Sequence, residues 1–550
     1  MIAEFLSGFA IWRNPVFRRY CRSRLRLKGA IIWYLLAIII PTFSVALSYI
    51  LMTNSGIPAE SAARRLWISL IVLQGAILMV KGTGVVSAGI IQDKIDQTLD
   101  YQRLTPLTPA RSLFGYLLGL PVLEYVMFAL TLPHLFFIVI VGNIPVLTVL
   151  SVYFSFFVCV MLYHMTAIAM GIVMNRWVLG YLLSIFMVIV INLILPISVS
   201  QLGLKFMQFL SVWPVISQKV LPVVVPSGLP LNPGGNPFFS MASDVPLYNW
   251  MLSPFVFTLL LQSALILTFY RMAFRRWQSA TRHSLSKPYS IAFMGGFVVL
   301  VIGNVWPAIT GQFLPFQIFG QTNLDDLTEV IAVALPGIYA LVSWALAGTL
   351  MMIVTPSHHA IVSGIRRALK QGRNTPHMWE DESANMLFTS AFVVVVMAGF
   401  ALLYGELMAS GFFEFRVNTE LGLWRLPLAL MLVLVYTLML LQVMELKPTV
   451  LIILLVWFVP ILVSAVLSAW MREAALIQAV IAAISPIALI LMAGAVPLID
   501  NVPVNPSDTD QFTYVLQGCT AGLLFVSAQI AYLAFRWRGH VQRFNAVTRV

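Results

Sequence analysis

The charged residues whose spacing could serve a specific interaction lie in a short polar segment, residues 92–109, between two long apolar stretches. Asp93, Asp96 and Asp100 recur at intervals of three and four residues, which places them along one side of a helix. Two Thr-Pro pairs follow, and a residue before proline is disfavoured in a helix, so the helix should end there. The pattern predicts a short helix, parallel to the membrane and exposed to the cytosol, whose acidic stripe binds another protein. A solvated connector without a binding role is the alternative that the pattern leaves open.

No catalytic motif accompanies this segment. The sequence contains no Gly-x-x-x-x-Gly-Lys-Ser/Thr phosphate loop, no Gly-x-Ser-x-Gly nucleophile turn and no His-Glu-x-x-His zinc helix. His358 and His359 are adjacent, so on a helix their side chains point in different directions, and no third metal ligand is near in sequence. We therefore expect this chain alone to hold no catalytic residue, no metal and no cofactor.

Two charged residues, Lys81 and Glu124, are predicted to lie inside the membrane, where a charge is costly and so suggests a function. Counted from the cytoplasmic ends of their predicted spans, both lie roughly 15–18 Å deep at 1.5 Å per residue. Neighbouring antiparallel spans would bring them together as an ion pair, and a role in the path of a substrate is the alternative. His134, His164 and Glu406 are explained equally well as hydrogen-bonded interior groups.

The composition requires a membrane around most of these residues. Hydrophobic residues make up 60% of the chain and charged residues only 10%, and the mean hydropathy is +0.91. Soluble domains are about one quarter charged. Backbone groups in lipid must pair within their own segment, which selects helices. The net charge of +12 then indicates attraction to the anionic inner leaflet rather than to nucleic acid.

The predicted fold is all-α, a polytopic membrane protein with about 12 transmembrane helices in two six-helix halves, with re-entrant outer hairpins and both termini cytoplasmic. The first six spans are expected near residues 29–52, 66–91, 113–142, 146–173, 178–199 and 250–274. The second six are expected near residues 289–310, 329–354, 386–409, 424–445, 449–470 and 512–536. The stretches 202–226 and 474–498 are interrupted by proline and glycine and are taken as the hairpins.

Basic residues set the orientation, because cytoplasmic segments carry an excess of Lys and Arg. Basic residues before the first span are Arg13, Arg18, Arg19, Arg22, Arg24, Arg26 and Lys28. Those near mid-chain are Arg271, Arg275, Arg276, Arg282 and Lys287, and those after the eighth span are Arg366, Arg367, Lys370 and Arg373. The resulting segments are an elbow (1–28), a first half (29–275), a junction (276–290), a second half (291–536) and a tail (537–550).

The elbow segment has the pattern of an amphipathic helix. Asn14 and Pro15 are typical of a helix start, with Asn as the cap and Pro in the first turn. Val16, Phe17 and Tyr20 then fall on one face, together with Cys21, and arginines occupy the others. Such a basic amphipathic helix lies in the plane of the lipid headgroups.

The polar segment resembles the coupling-helix region of exporter-type ABC transporter permeases, the class that includes polysaccharide and drug efflux permeases. The matching residues are Asp93, Lys94, Gln97, Thr98, Leu99, Asp100, Thr105, Pro106, Leu107 and Thr108. Asp96 and Arg103 lie in the same segment. Ile95 stands where the family usually has an acidic residue, and Leu118-Gly119 takes a later motif position without its Lys. The elbow before the first span is similar to that of the same permeases.

The resemblance implies a permease subunit that is not an enzyme by itself. Separate ATPase subunits, two of them, would bind ATP and Mg and drive alternating access by pushing on residues 93–108. The location implied is the cell membrane, in a bacterium the inner membrane, with lipid as the other partner. A second coupling site is expected in residues 355–385, at Thr355, Pro356, Arg366 and Arg367, although this loop is basic and lacks the acidic start.

Two other functions remain open from the sequence. A secondary transporter driven by an ion gradient would need buried carboxylates near the middle of the membrane, for which Glu124 and Glu406 are the candidates. A membrane-embedded enzyme acting on lipid-linked substrates would need polar residues clustered at one membrane face. The substrate itself is not encoded in any pattern we recognise.

Overall fold

The structure, a computed structural model, describes residues 11–194, 205–224, 244–279, 282–309, 324–409, 424–444, 446–470, 475–499 and 506–547. These residues are predominantly helical and fall into two compact units. Unit 1 comprises residues 1–245 and 250–282, and unit 2 comprises 246–249 and 283–550. The change from one unit to the other at residues 282–283 falls inside the segment expected to be the junction.

Unit 1 begins with the elbow helix, α1. Its helices are α1 (Pro15–Arg24), α2 (Leu27–Asn54), α3 (Ala59–Gly75), α4 (Thr83–Ile95), α5 (Thr98–Arg103), α6 (Pro109–Gly119), α7 (Val122–Val141), α8 (Val146–Val173), α9 (Trp177–Ile189), α10 (Trp213–Lys219), α11 (Leu221–Val224) and α12 (Pro254–Gln278). Short 3-10 turns lie at Ile11–Arg13 and Lys205–Leu210, and a π turn follows α9 at Val190–Ile194. The two-stranded hairpin β1 (Val245–Leu247) and β2 (Trp250–Leu252) precedes α12.

A π-helical segment, Ala76–Gly82, joins α3 to α4, so that helix runs without interruption over Ala59–Ile95. The wider π turn lets His164 of α8 approach the backbone, where its Nε2 lies 3.1 Å from the carbonyl oxygen of Leu78. Gly82 is required at this contact, since a Cβ there would lie 2.9 Å from that nitrogen. Thirty-seven residues of helix extend about 55 Å, well beyond a hydrocarbon core of about 30 Å. Its ends therefore project from the membrane.

Unit 2 is a second set of helices. They are α13 (Lys287–Ile309), α14 (Leu324–Val354), α15 (His358–Lys370), α16 (Met386–Ala409), α17 (Arg425–Val443), α18 (Leu446–Trp470), α19 (Ala475–Ala483), α20 (Pro486–Ile499) and α21 (Pro506–Val547). Close packing of α19 on α21 depends on small residues, because a Cβ at Gly518 or Gly522 would lie within 3 Å of Ala479 or Ala483.

In the part of the chain that is described, nine helices are long and apolar enough to cross a membrane. They coincide with nine of the predicted spans and define a multi-pass helical membrane protein. The predicted spans 178–199, 386–409 and 449–470 coincide with shorter described apolar helices, so the total of 12 stays a prediction. The predicted hairpin 474–498 forms two helices, α19 and α20, bent by 118°. Within 202–226, only short helical pieces are described, and residues 202–204 and 225–226 lie outside the described ranges.

One predicted span is wrong in its bounds. The predicted span 113–142 is two helices, α6 and α7, separated at Leu120-Pro121, because a proline interrupts the backbone hydrogen bonds of a helix. Within the predicted tail, 537–550, the 42-residue helix α21 continues as far as Val547, and the cytoplasmic location of the tail stays a prediction.

Candidate functional site

The predicted coupling segment is two helices rather than one. Helix α4 ends at Ile95, Gln97 takes the left-handed backbone conformation with φ 55°, and α5 begins at Thr98. The change of direction separates the three aspartates, since Asp93 lies on α4, Asp96 caps it and Asp100 lies on α5. The prediction of a single acidic stripe is therefore wrong.

Asp93 is buried and holds the elbow helix against the end of α4. Its Oδ1 accepts a hydrogen bond of 2.8 Å from Arg19. Its Oδ2 accepts hydrogen bonds from the hydroxyls of Tyr20, at 2.7 Å, and of Tyr116 on α6, at 2.6 Å. Burial, reinforced by the negative charge of Asp93, raises the pKa of both tyrosines well above the ordinary value. Both hydroxyls therefore remain donors, and Asp93 is a structural residue instead of part of an exposed binding surface.

Small residues allow the elbow helix to lie against α6. A Cβ on Gly115 would lie 2.7 Å from Cβ of Val16 and 2.9 Å from Oδ1 of Asn14. The Asn14 Oδ1 accepts from the backbone N–H of Val16 at 3.0 Å, which confirms the predicted helix cap, and its amide donates to the carbonyl of Arg111 at 2.6 Å. The cap thus also fixes the elbow to α6.

Lys94 and Arg103 fasten the coupling segment to two other helices of unit 1. Lys94 Nζ donates to the carbonyl oxygens of Ile172, at 2.8 Å, and Met174, at 3.2 Å, at the carboxyl end of α8. Arg103 pairs with Asp100 and donates to the carbonyl oxygen of Arg276, at 2.9 Å, near the end of α12. Cations at the carboxyl ends of helices satisfy carbonyls that have no partner in the helix.

The remaining predicted residues differ in burial and in the contacts that they make. Leu99 is buried with Tyr116 and Trp277, and Leu107 packs beside them. Thr105 donates to the carbonyl oxygen of Gln102, and Thr108 caps α6 by accepting from the N–H of Arg111. Thr98 is half-buried, whereas Gln97 and Pro106 are exposed.

The outer side of the segment carries apolar side chains that sequence reasoning missed. Leu104 is 84% exposed, Tyr101 70% and Ile95 51%, and Asp96 and Asp100 of the same segment are also exposed. We call these five residues the coupling face. The signal available in the sequence was that α5 has apolar residues on both sides, with only Leu99 needed for the core.

The predicted second coupling segment is anchored differently. Thr355 and Pro356 are buried, and Thr355 Oγ1 donates to the carbonyl oxygen of Met351. Ser357 caps α15, whose residues Ile361 and Ile365 pack on Phe544 of α21. A second set of residues includes the exposed cations Arg366, Arg367, Lys370 and Arg373 and the half-buried Glu380 and Glu382. Of these, Arg367 pairs with Glu382 and Arg373 pairs with Glu380. The hydrogen bond from Arg373 lowers the pKa of Glu380.

The two adjacent histidines have different surroundings. The His358 ring lies 4.4 Å from the ring of His540 on α21, whereas His359 is exposed. Among the described residues, no three His, Cys, Asp or Glu side chains are grouped to hold a metal ion.

The predicted ion pair is present, with Lys81 Nζ 3.3 Å from Oε1 of Glu124. Lys81 also lies 3.4 Å from the centre of the Trp33 ring and 3.4 Å from the sulfur of Met127. Arg24, the last residue of the elbow helix, approaches Glu124 from the other side, at 3.8 Å. Glu124 is in the first turn of α7 and within reach of the elbow, and the predicted depth of both paired residues in the membrane stays a prediction.

The fold and this geometry define the class of protein, a multi-pass helical membrane protein with an ordered polar segment between its second and third spans. Comparison of the chain with protein-family models, curated proteins and solved structures finds no match.

Proposed function

We propose that this chain is the permease subunit of an ATP-binding cassette exporter, moved through alternating access by separate ATPase subunits. The observation that carries the proposal is the coupling face. Large apolar side chains exposed at the end of a helix that projects from the membrane are unexpected for a connector, and such patches mark interaction sites. An aromatic and a leucine flanked by carboxylates suit a protein groove with an apolar floor and a basic rim.

The surroundings of the coupling face support a mechanical role. A force applied there is resisted by α4, by α8 through Lys94 and by α12 through Arg103. It also reaches the elbow through Asp93. A segment joined to four helices would move them together, whereas a flexible loop would absorb the displacement.

The energy source in this proposal lies outside the chain, which contains no phosphate loop. Two ATPase subunits would bind ATP and Mg. One subunit would dock on the coupling face and the other on the exposed side of residues 355–385. One copy of the chain would then form the transport path. Arg366 and Lys370 are exposed and form no ion pair within the part of the chain that the structure describes, so they would give the second contact the opposite charge from the first.

A paired substitution tests the proposal. Tyr101→Ala with Leu104→Ala removes most of the apolar area of the coupling face without touching its anchors. Phe136→Ala with Ile140→Ala removes similarly exposed apolar side chains from α7 and serves as the matched control. Tagged chains are purified from their native membrane, and co-purifying subunits with a phosphate loop are quantified by mass spectrometry.

We expect wild type and the control to retain an ATPase subunit and the coupling-face variant to lose at least about 90% of it, as for the removal of interface anchors. Absence of any ATPase from the wild-type preparation would count against the exporter. Retention by the coupling-face variant would show that the ATPase docks elsewhere.

A further inference from the structure

Positive charge accumulates at the corner where the elbow helix ends and the first span begins. Three cations lie there within five residues, namely Arg24, Arg26 and Lys28, and we call them the basic corner. The first candidate span is Lys28–Asn54, so this corner lies at the edge of the hydrocarbon core. Phosphate groups of the lipid lie at the same depth.

Among the described residues, the carboxylate of Glu124 approaches the basic corner but does not neutralise it. Glu124 is fully buried and already pairs with Lys81 at 3.3 Å. Arg24 lies farther from it, at 3.8 Å, and its side chain is 30% exposed. Arg26 and Lys28 are exposed, and neither forms an ion pair with any residue that the structure describes. The corner therefore keeps excess positive charge with free N–H donors.

Lys81 is not free to bind an anion in place of the cations of the basic corner. Its ammonium group contacts Glu124, the Met127 sulfur and the face of Trp33. These contacts leave Lys81 as the partner of the buried carboxylate, while the side chain of Arg24 stays 30% exposed. Guanidinium groups bind phosphate oxygens through two parallel N–H donors.

We propose that the basic corner is a binding site for the phosphate of an acidic phospholipid of the inner leaflet. Its three cations attract a net negative headgroup, and the apolar surface of α2 beside it, with Trp33 and Ile32 exposed, accommodates the acyl chains. The site is independent of the exporter function. Its occupant would hold the last turn of the elbow helix, whose other end is fixed by Asp93.

The test compares Arg24→Gln/Arg26→Gln/Lys28→Gln with a control that removes three exposed arginines of α21, Arg536→Gln/Arg538→Gln/Arg543→Gln. The proteins are purified in detergent and titrated with phosphatidylglycerol or phosphatidylcholine, and bound lipid is counted by native mass spectrometry. We expect wild type and control to retain one phosphatidylglycerol under activation that removes phosphatidylcholine. The basic-corner variant should bind it on the order of 100-fold more weakly, from about 1 kcal/mol per cation.

Two controls distinguish the possible failures. Arg24→Lys/Arg26→Lys keeps the charge and should retain most of the binding, which separates loss of the site from loss of the fold. Equal phosphatidylglycerol binding by wild type and the basic-corner variant would overturn the proposal. Displacement of the lipid by millimolar inorganic phosphate would overturn it as well, because it would show a site for free phosphate.

Discussion

At the scale of single residues, two buried carboxylates fix the elbow of this protein. Asp93 accepts hydrogen bonds from Arg19 and Tyr20, near the middle of the elbow helix, and from Tyr116 of α6. Glu124 lies 3.8 Å from Arg24, the last residue of the elbow helix. Each carboxylate has its partners on elements distant in sequence. A substitution at either position should therefore disturb the fold of unit 1 before it disturbs a contact with a partner.

Asp93→Asn should destabilise the protein by about 2–4 kcal/mol, because it removes a buried charge and leaves Arg19 without its partner. Asp96→Asn, on the exposed side of the same segment, should change stability by less than about 0.5 kcal/mol. Unfolding in detergent measures both. Equal effects of the two substitutions would contradict the structural role of Asp93.

The pairing of Lys81 and Glu124 is testable by Lys81→Ala and Glu124→Ala, singly and together. Lys81→Ala should cost about 2–4 kcal/mol, since Glu124 would stay buried with only Arg24 nearby. The double variant should cost at least about 1 kcal/mol less than the two single costs combined. Strict additivity in thermal or chemical unfolding would mean that the two side chains do not interact.

At the scale of elements, the elbow helix and α6 form one packed unit. Gly115→Val should displace the elbow, since even a Cβ at this position overlaps Val16 and Asn14. Cys21 reports the displacement, because it lies half-buried on the elbow whereas Cys159 and Cys519 are buried. Maleimide labelling of Cys21 should become several-fold faster in the variant.

Gly295→Val is the matched control for this experiment, because nothing lies within 4 Å of a Cβ at Gly295. Its labelling rate should equal that of the wild type. An unchanged rate in Gly115→Val would indicate that the elbow is not held against α6 as the structure has it.

Elements whose cause is local could be predicted from the sequence, and those whose cause is distant could not. The start of the elbow helix was predictable because the Asn14 cap, Pro15 and the backbone N–H groups of Val16 and Phe17 that Asn14 binds lie within four consecutive residues. The break at Gln97 was not, since neither Gly nor Pro marks its positive φ. The burial of Asp93 depends on Tyr20 and Tyr116, which no spacing in residues 92–109 could reveal.

The chain divides into two compact helical units, and the exposed residues of the coupling face belong to unit 1. Under the proposed function, one 61.2 kDa chain should associate with two ATPase subunits. Native mass spectrometry of the complex measures the ratio. Two copies of the chain in each complex would contradict the proposal that one copy forms the transport path.

The most direct measurement of the central claim is site-specific photo-cross-linking from the coupling face. Benzoylphenylalanine replaces Tyr101 in one protein and Phe136, on the apolar side of α7, in another. Irradiated native membranes are analysed for cross-linked chains by mass spectrometry. We expect position 101 to cross-link to a subunit with a phosphate loop and position 136 not to do so. Cross-links from position 101 to lipid alone, or to the same proteins as position 136, would contradict the central claim.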